Sequence, residues 1–165
     1  MATVRYRTLT EAGVDEGATV IIDGTGTAHA QVLAELQGLR QRVDRVAGSV
    51  VATCDGIVIA HDLGAAETYG VEPSGVAALA AVGLGLSQRM TDTASHGELL
   101  ETVIRGRLGQ VMTYAAGERA LLTVLVRGSG EPEGLYEEAR RVAARVADAL
   151  VDSWQDDAAV WRSER

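Results

Sequence analysis

Between Gly75 and Leu86 the chain reads Gly-Val-Ala-Ala-Leu-Ala-Ala-Val-Gly-Leu-Gly-Leu, 12 residues without one polar side chain. A membrane-spanning helix needs about 20 such residues, so this run has to be buried by protein instead. Pro73 and Ser74 offer a helix start, and Ser87-Gln88-Arg89 resumes a polar pattern. At about 100° per residue, Val76, Leu79, Gly83, Leu86 and Met90 share one face. The opposite face holds Ala77, Ala81, Leu84 and Gln88, with Gly85 beside them. A surface helix shows charge on its outer side, and this one shows small apolar residues. The pattern predicts a helix buried on two sides, by its own sheet and by a second protein surface.

The chain has 165 residues, enough for one domain that buries about 70% of its unfolded surface. A formal net charge of −8 argues against a phosphate backbone or an anionic membrane as partner, so neither nucleic-acid binding nor membrane insertion is expected. Cys54 is the single cysteine, which rules out an internal disulfide and fits a reducing cytoplasm. Arg5 and Arg7 precede no apolar core, so no signal peptide is read. All basic residues are arginine, and lysine, phenylalanine and asparagine are absent. That bias follows codon usage in a high-GC bacterial genome, so arginine on the surface carries little weight by itself.

Residues 1–26 are polar and glycine-rich around one apolar run, Thr19-Val20-Ile21-Ile22; they read as a partly disordered extension with room for a short strand. Val32, Leu36, Leu39, Val43 and Val46 recur at helical spacing, which predicts a helix over 28–46, capped by Thr25 or Thr27 and ended by Gly48. Ser49–Cys54 and Ile57–His61 read as strands around Asp55-Gly56, a hairpin signal in which both turn positions take positive φ. The apolar helix then spans about 73–90. Three strand-like runs follow at 99–105, 110–115 and 119–127. The last, Ala120-Leu121-Leu122-Thr123-Val124-Leu125-Val126, is nearly continuous apolar, so it belongs in the sheet centre with both faces covered. Leu135, Ala139, Val142, Val146, Ala149 and Trp154 keep a helical period, so the domain spans 27–153 and residues 154–165 form a tail. The order αββαβββα, with helices needed on both faces of a five-stranded antiparallel sheet, gives an α+β three-layer sandwich.

The stretch Val46–Ala60 with its Asp55-Gly56 turn, the Ala-rich helix, and Arg119-Ala120-Leu121-Leu122-Thr123-Val124-Leu125 together resemble the Roadblock/LC7 family, related in fold to profilin and longin domains. The resemblance covers about residues 28–151 and leaves out the N-terminal extension. In that family the first stretch is a helix end followed by a hairpin. The resemblance implies a non-enzymatic homodimer in which central helices pack together and third strands pair across the two-fold axis. Carried onto this chain, the contact residues are Ala77, Ala81, Leu84, Gly85 and Gln88 on the helix, with Thr102, Val103 and Ile104 on the strand. It further implies a cytoplasmic platform for Ras-like small GTPases, able to act as a GTPase-activating regulator. A scaffold or light-chain-like adaptor without effect on nucleotide turnover, and a small-molecule sensor domain, are the alternatives.

Sharper chemistry is weighed against this. Ile21-Ile22-Asp23-Gly24-Thr25-Gly26-Thr27 looks like a phosphate loop before a helix. The Walker pattern needs a lysine that the chain lacks, and the dinucleotide pattern needs glycine where His29 stands, so the run reads as a helix cap and no cofactor is expected. Cys54 and His61 have the chemistry of a nucleophile and its base, but the strand register sets them at opposite ends of the hairpin. They read as a packed cysteine and a loop histidine, and no catalytic residue is assigned. His29, His61 and His96 lack zinc spacing, and Asp55, Asp62 and Glu67 read as turn and solvent residues, so no metal is expected. Glu137/Arg141 and Glu138/Arg141 have helical ion-pair spacing. Arg140, Arg141 and Arg145 read as part of that solvated face, with contact to an acidic partner as the alternative.

Overall fold

In the computed structural model, residues 26–64, 68, 70–130 and 132–163 are described, with side chains to residue 151. The N-terminal extension, its strand at 19–22, most of the glycine–threonine run and Glu67 lie outside them. Apolar residues at helical spacing build α1 (Gly26–Arg42), whose Val32, Leu36 and Leu39 are fully buried. The helix stops earlier than the periodicity predicts. Arg45 takes a left-handed conformation, φ 66°, and the chain enters β1 (Val46–Thr53). Val46 and Gly48 are therefore strand residues, not a helix end. Val46 opposes Val126, and the register shifts before Gly48 meets Leu125. Gly48 permits a close approach of β2 (Val58–Leu63): a Cβ there would lie 2.7 Å from the Asp62 carbonyl oxygen. A glycine that reads as a helix stop is a strand residue with a crowded neighbour.

The β1–β2 hairpin forms where expected, with different turn chemistry. The Gly56 amide donates to the Thr53 carbonyl at 2.9 Å and Thr53 N–H to the Ile57 carbonyl at 2.8 Å. Gly56, φ 86°, takes positive φ, and Asp55 does not. This is the three-residue hairpin ending in a left-handed glycine, not the two-residue turn with both positions left-handed. The Thr53 hydroxyl makes a short hydrogen bond to the Asp55 carboxylate, which fixes the turn.

The remaining elements are α2 (Pro73–Thr93), β3 (Thr102–Arg105), β4 (Gly109–Ala116), β5 (Ala120–Arg127) and α3 (Leu135–Ser163). The strands form one sheet in the order β2-β1-β5-β4-β3, every neighbour antiparallel. β5 lies at its centre, as its apolar run requires. Alternation along the strands sends Val51, Leu122, Val124, Met112 and Tyr114 to one face, where α1 and α3 cover them. Val50, Ala52, Val58 and Leu121 point to the other face, beneath α2. The result is the expected α/β/α sandwich. α3 runs on to Ser163, past the point where the apolar period ends.

Candidate functional site

α2 lies on its sheet through small residues. Ala77 has no exposed surface, and Ala80, Ala81 and Leu84 pack beside it on Val50, Ala52, Val58 and Leu121. The hairpin glycine shows how close this contact is, since a Cβ on Gly56 would stand 2.9 Å from the Ala78 Cα. Small residues do permit a close approach, but to the helix's own sheet. This corrects the assignment of Ala77 to a face turned toward a second protein. Ala81 and Leu84 are half-buried on the same side. Gln88 is occupied within the chain, donating to Asp92 at 2.8 Å and accepting from the Leu99 amide at 3.3 Å. Gly85 is exposed.

The outer face of α2 carries the larger apolar groups: Leu79 is 76% exposed, Val82 70%, Met90 64% and Leu86 60%. Leu79, Leu86 and Met90 stand together in the sequence pattern, on the face assigned to the sheet; Val82 is the residue that pattern missed. Periodicity finds the two faces of an all-apolar helix but not which of them faces inward, because both are apolar. Residue size holds the signal, since a helix seated tightly on a sheet needs alanine at the contact.

Beside α2 lies β3. It pairs with β4 alone among the described residues, so it is an edge of the sheet. Ile104 is 60% exposed there, and Thr102 and Val103 are half-buried. An edge strand leaves a row of backbone donors and acceptors open to pairing. The helix row thus offers apolar groups and this edge open backbone groups, on neighbouring elements.

The arginines of α3 are already engaged. Arg140 binds Glu101 through two nitrogens at 2.7 and 3.1 Å. Arg141 lies 3.7 Å from Glu137 and 3.4 Å from Glu138, the helical spacing expected. Arg145 bridges Glu35 at 2.8 Å and Glu138 at 3.2 Å, and Arg42 adds a 2.8 Å contact to Glu138. This network fastens α1 to α3. Burial opposes ionisation of Glu138, but the hydrogen bonds from Arg145 and Arg42 outweigh it and hold its carboxyl below the usual value.

Cys54 is exposed just past the end of β1, and its thiol donates weakly to the Glu118 carbonyl at 3.5 Å. Burial of the sulfur, then the Asp55 charge, pushes its pKa up, the opposite of an activated nucleophile. His61 pairs with Val50, well down the strand from Cys54. Cys54, Leu84, Gln88, Leu99 and Leu121 line a cavity of about 220 Å³, below the roughly 300–1,000 Å³ of ordinary ligand sites. Among the described residues no group of three or more His, Cys, Asp or Glu side chains is placed to hold a metal, and no helix is long and apolar enough to cross a membrane.

Solved structures with this fold include a Roadblock/LC7 domain from Streptomyces avermitilis, 22% identical, with a TM-score of 0.63 over 72% of this chain and 97% of that one. The gliding protein MglB from Thermus thermophilus is 17% identical, with a TM-score of 0.70 over 84% and 99% of the two chains. An MglB in a tetrameric arrangement is also 17% identical, with a TM-score of 0.72 over the same shares. No curated protein matches this chain significantly. The Roadblock/LC7 domain profile matches residues 32–126, from α1 to the end of β5. This chain therefore belongs to the Roadblock/LC7 family.

Proposed function

We propose that this protein is a non-enzymatic homodimer that binds and regulates a cytoplasmic Ras-like small GTPase. The observation that carries the dimer is the outer face of α2, where Leu79, Val82, Leu86 and Met90 stand open to solvent beside the β3 edge. Contiguous apolar surface of this kind marks an interaction site, and a two-fold contact hides it with the same patch from a second copy. In the proposed assembly the outer faces of two α2 helices meet and the β3 strands pair at Thr102, Val103 and Ile104. The interface thus uses the opposite side of α2 from Ala77.

Family membership supports the GTPase half of the proposal. The dimer acts by surface complementarity: it binds one nucleotide state of the GTPase better and so shifts its switch loops toward that state. Ordering the partner's own catalytic groups would raise hydrolysis as well. Arg140, Arg141 and Arg145 are spent on internal ion pairs, so none of them is assigned as an inserted catalytic arginine. Affinity capture from host lysate with a GTP analogue, and in parallel with GDP, tests this reading. The expected result is a small P-loop GTPase enriched in one state. A stable complex without any GTPase in either state would replace the regulator with a scaffold.

A further inference from the structure

The arginines of α1 and α3 whose side chains are described are paired with carboxylates, whereas Arg89 on α2 and three arginines at one end of the sheet have no such partner among the described residues. Arg40 reaches Asp62 at 2.7 Å, and Arg42, Arg140, Arg141 and Arg145 are each joined to glutamates. At the sheet end formed by the α1–β1 turn, the β3–β4 turn and the end of β5, Arg45, Arg107 and Arg127 are exposed and have no carboxylate partner among the described residues. The backbone brings them together. Arg127 N–H donates to the Arg45 carbonyl at 2.9 Å, Gly128 N–H to the Leu108 carbonyl at 2.8 Å, and Arg127 opposes Gly109 in the ladder. The Arg45 guanidinium itself donates to the Ser129 carbonyl at 2.8 Å. Arg105 is exposed at the end of β3, next to the same turn. Asp44, Glu131 and Glu133 are the carboxylates that neighbour this end in sequence, against the four arginines Arg45, Arg105, Arg107 and Arg127. Leu108 stands at the tip of the turn, 85% exposed, the most open large apolar side chain of the described residues.

We infer that this end of the sheet is a docking surface for a short acidic segment of a partner protein. The surface is basic in a chain whose net charge is −8. A long polyanion such as nucleic acid, or a broad anionic membrane, would meet the acidic remainder of the molecule and be repelled. A short acidic segment fits within the patch. Guanidinium groups bind carboxylates through paired, planar hydrogen bonds, and Leu108 supplies an apolar contact between them. This site adjoins the β3 strand of the proposed dimer at Arg105, but it does not depend on the GTPase reading.

The test uses the full chain and a fluorescein-labelled peptide of glutamates and leucines, with a glutamine-for-glutamate peptide as control. The chain binds the acidic peptide and not the control, and binding weakens as salt is raised. Arg107→Glu combined with Arg127→Glu weakens it by at least about tenfold, and Leu108→Ser by about threefold. Both variants keep the native circular dichroism spectrum and melting temperature, because the residues are exposed. Equal binding of the two peptides, or unchanged affinity in the double variant, overturns the inference. So does a phosphatidylserine vesicle or an oligothymidine strand that binds more tightly than the peptide and is lost in the double variant.

Discussion

Leu84→Arg and Leu86→Arg change leucines two residues apart on α2, and the structure predicts opposite consequences. Leu86 is 60% exposed, in a row with Leu79, Val82 and Met90 at 60–76%. Full burial of such a side chain is worth about 1.5–3 kcal/mol, so the area still open offers roughly 1–2 kcal/mol per residue to an interface. Two-fold symmetry counts each residue twice. Leu86→Arg therefore removes about 2–4 kcal/mol per dimer, roughly a 30- to 1,000-fold rise in Kd, and the two desolvated guanidiniums add further cost. The isolated subunit loses little, within about 0.5 kcal/mol, because the site is solvated there. Leu84 instead packs with Leu121 and Val50 beneath the helix. Arginine at that position overfills the contact and sets a poorly solvated charge against it, and lowers the stability of the fold itself by about 2–4 kcal/mol. Sedimentation equilibrium reads the first effect and urea unfolding the second. A Leu86→Arg protein with unchanged dimer Kd, or a Leu84→Arg protein with unchanged unfolding midpoint, would refute this assignment of the two faces.

Three further outcomes follow from the packing and the ionisable groups. Gly48→Ala drives a Cβ to 2.7 Å from the Asp62 carbonyl oxygen; β1 or β2 must shift, and urea unfolding should show a loss of about 1–3 kcal/mol. Glu138 has a lowered pKa in the folded state, so its contribution is present above the ordinary carboxylate value, near 4.5, and is lost as pH falls through the lower folded value. Glu138→Gln should therefore flatten the acid limb of a stability–pH curve and leave its neutral and alkaline parts parallel to the parent's. Cys54 has a raised pKa, so despite its exposure it should react with a disulfide reagent at neutral pH more slowly than free cysteine, with the rate still climbing above the ordinary thiol pKa.

Most of the architecture can be read from the residues because their periods differ. Val32, Leu36 and Leu39 repeat as a helix does, and Ala120 to Val126 form an apolar run broken by Thr123 alone, which suits a central strand. The errors fall where one residue type serves two geometries. Gly48 resembles a helix stop, yet it lies in β1 at a point where Asp62 leaves no room for a side chain. Asp55-Gly56 resembles a two-residue turn, but one left-handed glycine is enough when Thr53 closes the loop. The candidate surface was half legible. The sequence shows that α2 must be buried twice, while the choice of face rests on the fit of Ala77 and Ala81 against the sheet. The arginine end at Arg45, Arg107 and Arg127 was invisible, since these residues are far apart in the chain and converge only through the ladder between β4 and β5 and the bond from Arg127 to Arg45.

A regulator of the proposed kind must distinguish the nucleotide states of its small GTPase. The affinity of the full chain for the captured GTPase, measured by calorimetry once with a GTP analogue bound and once with GDP, reads that property without intermediaries. At least about a tenfold difference is expected, the smallest ratio that shifts a two-state population appreciably. Equal affinity for the two forms would contradict the proposal and leave a scaffold that holds the GTPase without reading its state.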